Sequence, residues 1–375
     1  MLSKVPFYLK AAQVLLALVA IFYILYVGQS IIVPLVFALL LAVLLNPFVN
    51  FLTRKKVNRV LAICLALLSL FIVVFGVFYF IGAQISTFSE ALPELRIRAA
   101  ALLDQGMAWF SDCFHVSQSQ MDAWIDQKAS EGLNEAGGRV GSTILSLSSL
   151  LVLVFLVPVY IFLFLYYKPL LLAFLGQVFH NHQAGTVTEV LASSKKMIQS
   201  YLMGLLIEML IVAVLNSSAL LIIGVDYAIV LGVIGAILNL IPYIGGVVAI
   251  ALPVVMSLLS GTPSAALIVI GAYTLIQFID NNFLVPMVVA SKVKVNALVS
   301  IIVVLIGGAV WGVVGMFLAI PMTAILKVVF DKLPELNAFG LLIGDDLPPQ
   351  SFLDSLKETV EESQVAPEEK AQPDQ

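Results

Sequence analysis

The chain has 375 residues, of which 61% are hydrophobic and 11% charged, with a net charge of −4 and a mean hydropathy of +1.07. A water-soluble domain is closer to half apolar and one quarter charged, so water is excluded as the main solvent and one polytopic bundle is expected. Two cysteines, Cys64 and Cys113, are too few for a disulfide framework or a thiolate metal site.

Lys4 and Lys10 precede an apolar run over 11–27 that leads into a second apolar stretch without a small-x-small cleavage pattern. The run therefore reads as a retained first span rather than a removed signal. Unbroken spans are expected at about 11–27, 30–49, 60–86, 142–167, 198–223 and 264–287. The first two are joined only by Gly28-Gln29-Ser30, which predicts a tight helical hairpin.

Two further apolar runs, 227–260 and 297–327, are broken near their middles. The first is interrupted at Asn239, Pro242, Tyr243, Gly245 and Gly246, the second at Gly307, Gly308, Gly312 and Gly315. A membrane helix needs about 20 apolar residues, and each half-run is shorter than that. Unpaired backbone N–H and C=O groups are tolerated at membrane depth only where protein or a cavity surrounds them, so paired breaks point to a transport site.

Charge placement predicts orientation, because Lys and Arg near span ends stay on the cytoplasmic side. Of 19 basic residues, only Arg96, Arg98, Lys128 and Arg139 lie between the third and fourth spans, where eight acids accompany them. Residues 88–140 are therefore expected outside, as amphipathic helices, and both termini inside. If Lys292 and Lys294 are cytoplasmic, each broken run must return to its own side as a re-entrant hairpin. The expected fold is an all-α polytopic membrane protein with about six full transmembrane helices, two interrupted re-entrant hairpins and an inverted repeat in its C-terminal half. The alternative is eight simple spans, each broken run being one long tilted helix.

The corresponding domain layout is 1–87 for helices 1–3, 88–140 for the extracytoplasmic segment and 141–197 for helix 4 and a cytoplasmic loop. Residues 198–333 form the transport core, and 334–375 an acidic, disordered tail.

Between Met197 and Ser291 there is no Lys or Arg, and the acids are Glu208, Asp226 and Asp280. Asp226 ends a span, where a solvated carboxylate is cheap. Glu208 and Asp280 lie inside apolar spans, where an ionised carboxylate costs at least ~2.5 kcal/mol unless water, an ion or a partner meets it. The functional reading is a cation- or proton-binding pair lining a pathway; the bland reading is a hydrogen-bonded acid that fixes helix packing. Gln277, Asn281, Asn282 and Pro286 cluster with Asp280, and Gln199 and Ser200 precede Glu208. Glu208 precedes Pro242 by 34 residues, and Asp280 precedes Val314 by the same interval, as an internal repeat would produce.

Half-helix amino termini at the breaks suit an anionic or hydroxyl-rich solute, with Asn239, Tyr243 and Thr323 adding side-chain contacts. Trp124 and Trp311 read as interfacial anchors. There is no GxxxxGK[ST] phosphate loop, HExxH or nucleophile elbow, so no catalytic residue, cofactor or metal site is assigned. His180-x-His182 reads as a solvated loop, and the basic cluster 54–59 as topology or membrane-lipid contact rather than nucleic-acid binding.

The motifs Ile241-Pro242-x-x-Gly245, Asn281-Asn282-x-x-x-Pro286 and Gly312-x-x-Gly315-x-x-x-Ala319-x-Pro321 occur together and in order. Over about 198–330 the chain resembles the autoinducer-2 exporter family, also called PerM-type permeases, whose members often carry Glu where this chain has Asp280. The resemblance implies a multi-pass inner-membrane protein that exports a small polar solute such as autoinducer-2, or exchanges sodium or lithium for protons. It also implies a homo-oligomer, a pentamer, and places Gly312, Gly315 and Pro321 on the pathway. The remaining alternatives are a sodium/proton antiporter without organic cargo and a non-transporting scaffold or receptor that uses the outer helices.

Overall fold

The computed structural model describes residues 6–83, 97, 154–178, 184–242, 245–260, 263–290 and 294–345. The expectations for the outer helices, for Trp124, for His180 and His182, for Tyr243 and for the tail beyond residue 345 lie outside these residues. Among the described residues the chain is all-α, and its one strand-like contact is an isolated bridge between Val295 and Gly344. In an apolar solvent the helix is the open-chain structure that satisfies every backbone N–H and C=O internally, which is why so apolar a sequence takes this form.

Helix α1 (Phe7–Val27) meets α2 (Gln29–Arg54) at Gly28. The Gly28 N–H donates to Ile24 O, and its carbonyl accepts from Ile31 and Ile32, so helical bonding approaches the joint from both sides. Gln29 and Ser30 already belong to α2, and the three-residue hairpin expected here is a one-residue joint. Helix α3 (Arg59–Ala83) follows a short turn, and α4 (Val154–Tyr166) bends by 63° into α5 (Lys168–Val178). Between the expected fourth and fifth spans, residues 168–178 and 184–197 are helical. α6 (Ala184–Ile223) begins well before the predicted start at 198, and its 40 residues exceed the length a bilayer requires.

The run 227–260 is broken as expected. α7 (Ala228–Asn239) has 12 residues and α8 (Gly245–Ser260) has 16, both short of a full span. Ala228 and Leu231 near the start of α7 share one apolar cluster with Met256 near the end of α8, so the two helices run antiparallel as a hairpin. α9 (Pro263–Ile279) continues into a π-helical segment (Asp280–Ala290), whose wider turn begins at the buried acid. Such widened turns recur at functional sites.

α10 (Ala297–Lys332) has the composition of one long membrane helix. Its backbone says otherwise, because Trp311 lies at φ −130°, ψ 15° and Gly312 at φ 62°, ψ −146°. A Cβ on Gly307 would collide with the Gly315 carbonyl, and one on Gly308 with Met316. Residues 297–310 and 313–332 are thus two arms folded back on each other. Neither broken run is a single tilted rod, and the eight-span alternative falls.

The segment after α10 is also ordered to residue 345, which corrects the disordered tail expected from 334. A 3-10 turn (Pro334–Leu336) leads into α11 (Asn337–Ile343). Asn296 Nδ2 donates to the carbonyls of Leu342 (2.7 Å) and Gly344 (2.9 Å), fastening α11 to the start of α10.

Two apolar cores organise the first half and link it to the second. Ala38, Ala42, Ile63, Ala66, Ile161 and Leu165 interlock α2, α3 and α4. Leu40 of α2, Tyr201 and Leu205 of α6, and Leu318 and Ala324 of α10 form the other. Gln199 Nε2 donates to Val43 O (2.7 Å), a tie between α6 and α2. The outward faces of α1 and α3 remain exposed Leu, Ile, Val and Phe, surface suited to hydrocarbon rather than water.

Candidate transport site

The first break is held against α9 by side chains on both partners. Asn239, the last residue of α7, donates from Nδ2 to Asp280 Oδ2 at 2.9 Å. Just past the break, Gly246 lies so close to the Gln277 amide that a Cβ there would collide with it. Asp280 is 1% exposed, and its Oδ1 has no hydrogen-bond partner among the described residues. Glu208 of α6 is 4% exposed, within electrostatic range of both Asp280 and Tyr201.

Asp280, Glu208, Asn239, Gln277, Gly245 and Gly246 therefore converge, with Pro242 half-buried between the hairpin arms. Others do not converge. Asn282 is exposed and donates to Phe278 O of its own helix, and Asn281 is exposed with its Oδ1 accepting from Gln277. Pro286 is exposed as well. The helical spacing explains this: residues one and two positions after Asp280 point away from the face that Asp280 occupies.

The second break joins from another direction. Leu240, beside the first break, and Trp311, at the second, pack on the same cluster around Tyr201 and Leu205. Trp311 Nε1 donates to Leu25 O at 2.9 Å. That ties the half-buried indole to the end of α1, next to the joint with α2. Gly312 is exposed at the turn, whereas Gly315, Pro321 and Thr323 are buried in the returning arm.

Other buried polar groups in this half carry no expectation from sequence. Asn216 of α6 and Tyr273 of α9 approach Gly235 of α7, whose Cβ would lie 3.3 Å from Asn216 Nδ2 and 3.5 Å from the Tyr273 hydroxyl. Asn216 Oδ1, the Tyr273 hydroxyl and Ser257 Oγ are buried without hydrogen-bond partners among the described residues. The available signal was a polar side chain inside an apolar span, where such groups are expensive. Chemically, the assembly offers two carboxyls, carboxamides and hydroxyls at the meeting point of broken helices. That donor set suits a small cation or a hydroxyl-rich solute.

The AI-2E family transporter model matches residues 15–335. The chain belongs to this family. It is a multi-pass membrane transport protein. Relatives within the family include the AI-2 transport protein TqsA of Escherichia coli, 26% identical over 85% of this chain and 90% of that protein. YueF of Bacillus subtilis is 29% identical over 88% of this chain and 93% of its own length. PerM of Escherichia coli is 29% identical over 67% of this chain and 68% of its own length. The matched range includes both hairpins, Glu208 and Asp280.

Proposed function

We propose that this protein is a secondary transporter that exports a small polar solute, with the two broken hairpins forming the solute site and Asp280, helped by Glu208, binding the coupling proton or sodium ion. The observation that carries this reading is Asp280 itself. Its carboxylate is almost wholly enclosed, engages Asn239 of the first break through one oxygen and leaves the other without a partner among the described residues. A carboxylate so placed inside an apolar span costs several kcal/mol unless a cation or proton meets it. Autoinducer-2 is the solute favoured first, on the name of the TqsA relative. Movement of the 198–333 core against the first four spans would open the site to each side in turn, in an inner-membrane homo-oligomer with cytoplasmic termini. A cysteine placed at Lys292 that reacts with an impermeant reagent only from the cytoplasmic side supports that orientation.

The test is solute flux in proteoliposomes under imposed proton and sodium gradients. Asp280→Asn is expected to abolish gradient-driven flux while the purified protein keeps its wild-type oligomeric state and unfolding temperature. Wild-type flux in Asp280→Asn sinks the proposal.

The burial of two acids, Glu208 and Asp280, in one half of the chain favours a second reading, a sodium/proton antiporter with no organic cargo. Proton movement on adding sodium alone, with no solute present, selects it. If deleting 88–140 destroys function in cells while the carboxylate variants do not, the scaffold or receptor reading replaces both.

A further inference from the structure

Away from the hairpins, α2, α3, α4 and α5 line an open cavity of about 500 Å³. Its polar lining is Asn46, Asn50, Thr53, Arg59 and Lys168, with no Asp or Glu among the lining residues. Both cations are positioned by neutral partners: Lys168 Nζ donates to Asn46 Oδ1 at 3.0 Å, and an Arg59 guanidinium N–H donates to Leu165 O at 2.6 Å. Lys195 and Arg59 each lie near enough to Lys168 to repel its charge. Among the described residues none of these three cations has a carboxylate partner. Asn46 is 5% exposed, and its Nδ2 is buried without an acceptor among the described residues.

Gathered like charges without a counter-charge raise one another's energy, and an anion offsets that cost through charge-assisted hydrogen bonds. The donors are also of the right kind. A guanidinium offers a planar fork to phosphate oxygens, and an ammonium adds a point charge. The cavity lies where α2 ends at Arg54 and the chain passes through Lys55 and Lys56, at the charged end of long apolar helices. Beside it, α5 turns away from α4 by 63° and exposes Leu170, Leu171 and Phe174. A basic pocket flanked by exposed apolar side chains at helix ends matches the requirements of a phospholipid headgroup and its acyl chains.

We propose that this cavity is a binding site for a phosphate group, carried by an anionic phospholipid headgroup or arriving as free phosphate, with Arg59 and Lys168 as charged donors and Asn46 Nδ2 as the neutral one. It is separate from the solute path.

The test is thermal unfolding of the purified full chain in detergent, titrated with phosphatidylglycerol, phosphatidylcholine or inorganic phosphate. The variants are Arg59→Met, Lys168→Met and Asn46→Asp. Phosphatidylglycerol is expected to raise the unfolding midpoint and phosphatidylcholine not to. Each variant is expected to lose roughly tenfold or more in apparent affinity, the scale of a charge-assisted contact. Asn46→Asp keeps the side chain's shape and gives Lys168 an internal carboxylate, so it should fold without ligand and still lose the response. It thereby separates binding from folding. A response to phosphatidylglycerol alone assigns the lipid, and a response to inorganic phosphate that also displaces the lipid assigns free phosphate; both support the site. Equal protection by phosphatidylcholine, or a wild-type response in Asn46→Asp, overturns it.

Discussion

Gly246 faces the side-chain amide of Gln277 across the gap between α8 and α9, at a separation that leaves no room for a methyl group. The contact holds the break beside Asp280, one helical turn further on, where α9 passes into the π-helical segment. Gly246→Ala is expected to force the hairpin tip away from α9 and lower transport roughly tenfold or more, because side-chain placement within ~1 Å matters at such sites. Gln277→Ala, which shortens the obstructing side chain, is expected to restore part of that loss in the double variant. Flux measurements on the two single variants and the double read the coupling directly. Additive losses would mean that the two residues act independently.

The Asn239–Asp280 hydrogen bond has a fixed direction, amide donating to carboxylate. Asn239→Asp removes the donor and sets two carboxylates against each other, with Glu208 nearby as a third acid. The variant is expected to lose transport, since like charges in a low-dielectric site repel strongly. The exchanged pair, Asn239→Asp with Asp280→Asn, restores one donor and one acceptor at the same place. It is expected to regain the unfolding temperature lost by Asn239→Asp alone, while ion dependence shifts or disappears because the charge has moved. Stability of the exchanged pair in detergent, beside its flux, separates the structural share of the contact from the functional one.

Gly312 turns the second hairpin with φ 62° and ψ −146°, a region that side chains make costly. Gly312→Ala is expected to destabilise by ~1–3 kcal/mol. Gly307→Ala should cost more, because its methyl strikes the Gly315 backbone rather than a side chain that can move aside. Gly271 in α9 has nothing within 4 Å of the place a methyl would take, and serves as the control. Gly271→Ala is expected to be neutral or to stabilise by up to ~1 kcal/mol through helix propensity. Thermal unfolding midpoints should therefore rise from Gly307→Ala through Gly312→Ala to Gly271→Ala.

The broken runs were legible because Gly and Pro clusters interrupt apolar stretches that are otherwise long enough to span, and the two buried acids because charge is so rare between Met197 and Ser291. Register and direction were harder to read. Asn281 and Asn282 adjoin Asp280 in sequence, yet helical rotation carries them to another face. The Trp311 indole N–H finds the Leu25 carbonyl, a partner 286 positions away that no local pattern announces. Asn216 and Tyr273 are single polar residues in separate helices, and only the approach of both to Gly235 gives them a shared place. The helical segment at 334–343 was hidden by the acidic, proline-containing sequence that follows it.

That segment rests on one side chain. Asn296 caps α10, its Oδ1 accepting from the Val299 N–H at 2.9 Å, while its Nδ2 reaches two carbonyls at the end of α11. The Asn296 N–H also donates to Ile343 O. One residue therefore starts the second hairpin and anchors the helix that follows it. Asn296→Ala removes the cap and both side-chain donations but leaves the backbone bond. Losing a cap costs ~1 kcal/mol, and each lost hydrogen bond to a carbonyl about as much. Because α11 is only seven residues long and has no helical stability of its own, that loss should release it before the rest of the protein unfolds. Limited proteolysis of Asn296→Ala is expected to cut after Lys332 at least several-fold faster than wild type, with the unfolding midpoint of the transport core little changed. Asn296→Asp keeps the cap and loses the two donations, so cleavage intermediate between the two would divide the effect between capping and anchoring. Equal cleavage of all three proteins would mean that α11 is held by its apolar contacts, among them the rings of Phe330 and Phe339 at 6.0 Å.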